Sequence, residues 1–136
     1  MTDPTTPGEA LQTVLVVEDE VLVRMVICEY LRDCGFRVIE AASGEEALTV
    51  LQQPDLTINV VFSDVQLGPG IDGFAVSQWV RANRPELDIM LVGNIERAAD
   101  VAAELCENGP TLSKPYEPQT VVDRIKRLLA ERKPRG

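Results

Sequence analysis

Histidine is absent from this chain, and basic side chains are scarce: 13 Lys and Arg stand against 22 Asp and Glu, a formal charge of -9. Neutralising a phosphate backbone needs a basic face, so nucleic acid is excluded as the primary partner. Six of the basic side chains lie in residues 123–136, which read as a solvated helix face and tail. Cysteine is limited to Cys28, Cys34 and Cys106. Their odd number and lack of metal-like spacing indicate neither a disulfide framework nor a zinc site, and a reducing, cytoplasmic setting is expected. No segment approaches the roughly 20 apolar residues of a membrane span, and Met1-Thr2-Asp3-Pro4 does not begin an export signal, so no membrane partner is expected.

What is present is a regular alternation. Residues 1–11 are rich in Thr, Pro and Gly and read as a disordered lead-in. One domain is expected over 12–131, followed by a basic tail at 132–136. Five short apolar runs lie near 13–17, 37–41, 58–63, 89–92 and 110–113. The strongest are continuously apolar, as in strands buried on both faces of a parallel sheet. Between them are helical patterns. Val23, Val26, Ile27, Tyr30 and Leu31 form one stripe ended by Gly35, and Ser43-Gly44-Glu45-Glu46 has the form of a capping box. Phe74, Val76, Trp79 and Val80 mark a third helix, the alanine-rich stretch 95–108 a fourth, and Pro118 opens a fifth. The pattern predicts an α/β fold: a (βα)5 open parallel sheet with helices on both faces.

In such sheets ligands gather at the carboxyl ends of the strands. Glu18 and Asp19 follow the first apolar run, Asp64 the third, and Lys114 the fifth. Clustered carboxylates repel one another unless a cation sits among them, and a hard, oxygen-seeking ion such as Mg2+ suits them. A phosphoryl group at Asp64 would then meet the metal on one side and the Lys114 ammonium on the other. Glu20 reads as a loop or first-turn residue. Asp72 is expected to order its own loop through side-chain to backbone bonds.

The motifs Leu15-Val16-Val17-Glu18-Asp19-Glu20, Ser63-Asp64-Val65 with Asp72-Gly73, and Lys114-Pro115-Tyr116 resemble those of the response-regulator receiver domain of two-component signalling. The resemblance runs from about Thr13 to Leu129. It implies a flavodoxin-like sheet in 2-1-3-4-5 order. It also implies that Asp64 is the phosphoacceptor, with Mg2+ (or Mn2+) held by Asp19, Asp64 and the backbone carbonyl of Gln66, and by Glu18 through water. Lys114 would pair with the phosphoryl oxygens, and the Lys114-Pro115 bond is a cis-proline candidate. The loop Leu67–Gly73 is one residue longer than the commonest family form.

Two positions depart from the family pattern. The hydroxyl residue expected after the fourth strand is replaced by Gly93, and the aromatic expected on the fifth strand is replaced by Thr111. Both halves of the usual switch are therefore changed, and backbone movement over 93–98, with a close approach at Gly93, is the expected substitute. The resemblance implies a phosphoacceptor served by a sensor histidine kinase or a histidine phosphotransfer protein. It would catalyse its own phosphorylation and dephosphorylation rather than turn over an external substrate. The short basic end leaves no room for a DNA-binding output domain, so output is expected through partner binding. A homodimer through the fourth helix, fifth strand and fifth helix is a further expectation, with Asp100, Glu104, Arg124 and Arg127 as candidate cross-dimer pairs. The competing reading is a phosphorylation-independent interaction module that keeps the fold.

Overall fold

A computed structural model of the chain describes residues 12–109 and 115–132. The described strands are β1 (Thr13–Val17), β2 (Arg37–Ala41), β3 (Val60–Asp64) and β4 (Asp88–Val92). The helices are α1 (Val21–Asp33), α2 (Gly44–Leu51), α3 (Gly73–Asn83), α4 (Ile95–Glu107) and α5 (Pro118–Arg132). All strand pairs are parallel and the order is β2-β1-β3-β4. The expected order 2-1-3-4-5 is thus met for the four described strands. The expected fifth strand, with Thr111, Lys114 and the Lys114-Pro115 bond, lies outside the described residues.

β1 runs through the centre, and every residue in it is buried. The pleat sends its side chains to two different cores. Val14 and Val16, with Val60, Phe62 and Val92, face a cluster built with α1, α4 and α5. Leu15 and Val17, with Val61, face a smaller one built with α2 and α3. The inward face of α4 is almost all small: Ala98, Ala99, Ala102 and Ala103 are buried with Val101 and Leu105. Alanines leave room for close helix approach, and α4 packs against both α1 and α5.

The capping box forms as its sequence predicts. Ser43 accepts from the Glu46 N–H at 3.1 Å, and Glu46 accepts from the Ala42 N–H at 2.6 Å. Tyr30, buried on α1, donates its hydroxyl to the Tyr116 carbonyl at 2.8 Å, tying the start of the last segment to α1.

The expectation of no disulfide is overturned. Cys34, at the C-cap of α1, is bonded to Cys106 in the last turn of α4, with Cα atoms 5.7 Å apart and a sequence separation of 72. Parity and spacing miss such a pair because tertiary packing, not local sequence, brings these two helix ends together. Cys28 is left as a buried thiol, pushed up to about 12 mainly by burial. The cysteine count therefore gives no support for a reducing compartment. Among the described residues no helix is long and apolar enough to cross a membrane.

Candidate phosphoacceptor site

Glu18 and Asp19 follow directly from β1, and Asp64 is the last residue of β3. Val17 pairs in register with Ser63 and with Ala41, which brings the strand ends level. One carboxylate oxygen each from Glu18, Asp19 and Asp64 lies within 4.8 Å of the others. Glu18 is buried, Asp64 half-buried and Asp19 exposed, so the cluster opens on its Asp19 side. A cavity of about 420 Å³ lies over it, lined also by Gln66, Gly68, Asn94, Ile95 and Leu129.

Burial pushes the Glu18 carboxyl up to about 8, opposed by the Glu20 N–H and reinforced by the Asp64 and Asp19 charges. Asp64 is also raised, first by burial and then by the Asp19 charge, although the Gln66 N–H donates to its Oδ1 at 3.3 Å. Both shifts run against full ionisation of the cluster when no cation is present. A cluster of oxygen donors that cannot all ionise alone fits a hard divalent ion, and Mg2+ suits this donor set.

Backbone geometry holds the loop against the cluster. Gly68 has φ of 77°, and a Cβ there would stand 3.3 Å from Asp19 Oδ2. Gly73 brings the start of α3 onto the end of β3, since a Cβ would come within 2.1 Å of the Asp64 carbonyl oxygen. Gly73 N–H donates to the Val65 carbonyl at 2.9 Å, and Asp72 caps α3 by accepting from the Ala75 N–H at 2.9 Å, the local ordering expected of it.

Gly93 follows β4, but the expected close approach there is not found: among the described residues a Cβ would meet nothing within 4 Å. Its φ is not positive either. Among the described residues, neither packing nor backbone geometry requires glycine at this position.

Several residues near the site went unremarked in the sequence. Asn94 caps α4, accepting from the Arg97 N–H at 2.7 Å, and lines the cavity. Its cap position ahead of the alanine-rich stretch was the available signal. Arg24 donates to the Glu18 carbonyl at 2.7 Å, and its only signal was a basic residue beside the inward stripe of α1. Glu20, expected as a loop or first-turn residue, is the N-cap of α1, accepting from the Leu22 N–H at 3.1 Å, and takes both ends of the Arg132 guanidinium at 2.7 and 2.8 Å. Of the candidate dimer residues, Glu104 pairs with Arg97 at 3.7 Å and Arg124 pairs with Glu29, both within the chain.

The sequence matches the response regulator receiver domain family over residues 14–126. It is 35% identical over 118 residues to a probable transcriptional regulator, ycf27, of Cyanophora paradoxa, covering 85% of this chain and 47% of the relative. It is 32% identical over 123 residues to sensor kinase CckA of Brucella abortus, covering 86% of this chain and 12% of the relative. The chain thus spans less than half the length of these curated relatives. Among solved structures, a response regulator receiver domain protein from Clostridium thermocellum superposes with a TM-score of 0.59 at 24% identity, covering 88% of this chain and 99% of that one. A complex of histidine kinase ThkA with response regulator protein TrrA matches with a TM-score of 0.57 at 29% identity, covering 62% of this chain and 71% of that one. The acidic strand ends, the parallel sheet and the extent of the match agree, and this chain belongs to the response regulator receiver domain family.

Proposed function

We propose that this chain takes a phosphoryl group from a partner phosphohistidine onto Asp64 and signals by binding a partner. The observation that carries the reading is the carboxylate triad: three strand-end oxygens within 4.8 Å, two of them on groups with raised pKa. Glu18, Asp19, Asp64 and the Gln66 carbonyl would hold Mg2+. When bound, the ion supplies positive charge that keeps the carboxylates ionised and offsets charge on an incoming phosphoryl group.

The chain's own residues do the rest. Asp64, fixed at the end of β3, presents a carboxylate oxygen to the phosphorus at the open, Asp19 side of the cluster. The Gln66 N–H orients that carboxylate. Lys114, in the family's lysine position, is assigned to the phosphoryl oxygens. The donor histidine belongs to a sensor kinase or a phosphotransfer protein, because the chain has none. The resemblance to one kinase and to a regulator solved with another supports that pairing. A cytoplasmic location follows from such a donor.

Gly93 and Thr111 favour a second reading, a module that binds partners without using phosphate. The open space at Gly93 among the described residues is in keeping with it, because none of them crowds out a hydroxyl there. Beryllofluoride with Mg2+ separates the two. On the phosphoacceptor reading the mimic binds wild type but not Asp64→Asn and shifts the backbone resonances of residues 93–98. Binding with no change in that loop would support the module instead.

A further inference from the structure

Glu18 is held at three points. Its N–H donates to the Ala41 carbonyl at 3.0 Å, its Oε2 accepts from the Glu20 N–H at 3.0 Å, and its carbonyl accepts from Arg24 Nη1 at 2.7 Å. The first bond belongs to the sheet edge and the second to the local turn. The third is supplied by a long side chain that has itself been fixed. Arg24 Nε donates to Glu40 Oε1 on β2 at 3.1 Å, and its side chain is only 16% exposed. Glu40 in turn receives Arg32 Nη2 at 3.1 Å, one turn pair further along α1.

The Glu18 carbonyl and the Asp19 N–H share one planar peptide unit. Fixing that carbonyl fixes the plane and so the point from which the Asp19 side chain starts, leaving only the rotations about Asp19's own N–Cα and side-chain bonds to aim its carboxylate. Asp19 is the exposed member of the triad, with the Gly68 loop on one side, so its direction is not set by burial. We infer that Arg24 is a positioning residue for the metal site, orienting the Glu18-Asp19 peptide through a guanidinium anchored by Glu40. The fork of the guanidinium lets one side chain hold the carbonyl just after β1 and a carboxylate on β2 together, which a lysine's single ammonium cannot do in the same geometry. Groups that orient metal ligands without touching the metal typically change affinity 10- to 100-fold when removed.

This inference rests on the metal-binding reading of the triad, and the experiment separates the two. Mg2+ is titrated calorimetrically into wild type, Asp19→Asn, Arg24→Met and Arg24→Lys, at a temperature where circular dichroism shows each variant folded. Hydrogen exchange of the Glu20 amide is followed in the same proteins without metal. Wild type is expected to bind Mg2+ and Asp19→Asn to lose it. Arg24→Met should bind about tenfold more weakly, with Arg24→Lys between it and wild type and with faster Glu20 exchange in both. An Arg24→Met protein that is folded and binds Mg2+ as wild type does overturns the inference and leaves the metal reading standing. If Arg24→Met does not fold, Arg24→Lys decides, and wild-type affinity there overturns it equally. Wild type and Asp19→Asn that both fail to take up Mg2+ overturn the metal reading and the inference together.

Discussion

The two ends of the sheet are built on opposite principles. At the carboxyl ends of β1 and β3, like charges converge, glycines bring backbone against carboxylates, and Glu18 and Asp64 both carry raised pKa values. Near the amino ends, the chain turns from α1 into β2 through Cys34, Gly35 and Phe36, and Cys34 is bonded to the last turn of α4. Cys34, Phe36 and Cys106 are buried there. One end concentrates electrostatic cost where a ligand can relieve it, and the other concentrates burial and a covalent tie. Strained, charged sites persist when the surrounding structure over-determines them, and the helices α1 and α4 carry that constraint from one end to the other.

The largest expected effect breaks the tied end alone. Opening the Cys34–Cys106 bond, by a reductant or by Cys106→Ser, frees a loop of 72 residues in the unfolded chain, worth about 4 kcal/mol on the chain-entropy account. Urea unfolding should show that loss, while Mg2+ affinity of the folded protein changes little. Gly73→Ala strikes the other end. A Cβ 2.1 Å from the Asp64 carbonyl oxygen forces the backbone apart. It should cost about 1–3 kcal/mol and, unlike the cysteine change, weaken phosphoryl acceptance as well, which stability and mass measurements on one variant would show together.

A pH titration sharpens the contrast. Burial pushes the Glu18 carboxyl up to about 8 in the metal-free folded chain, whereas an unfolded glutamate has its ordinary value of 4.5. Between those two values the folded state binds more protons, so metal-free stability should fall as pH rises through the window. Glu18→Gln should flatten that slope, and Mg2+ should reverse it by favouring the ionised cluster. Urea midpoints across the window, with and without Mg2+, check the sign. The smallest expected effect is Gly93→Ser. With nothing described within 4 Å of the new Cβ, stability should stay within about 0.5 kcal/mol. The lifetime of the phosphorylated form should change, because a hydroxyl returns to the site's rim. An unaltered lifetime would mean that this position has no part in handling the phosphoryl group.

Much of the fold could be read from the chain because local and global preferences agree. The continuously apolar run of β1 sits at the sheet centre, Ser43 and Glu46 form their capping box, and Asp72 caps α3. β3 begins at Val60 rather than 58 and extends through Asp64, so the key aspartate ends the strand instead of following it. The triad was legible because carboxylates at strand ends are costly and therefore informative. What the sequence could not display were relations made by packing: the Cys34–Cys106 bond, the placement of α4 against α1, and the grip of Arg24 on the Glu18 carbonyl. Each joins residues whose separation or type carries no local signature. The Glu20–Arg132 pair joins the start of α1 to the end of α5 in the same way.

The measurement that tests the account most directly is intact mass after incubation with a small-molecule phosphodonor, with and without Mg2+, for wild type and Asp64→Asn. One added phosphoryl group on wild type, requiring Mg2+ and absent from Asp64→Asn, is the predicted result. Equal phosphorylation of Asp64→Asn, or none on a wild type that also fails to bind beryllofluoride, would contradict it.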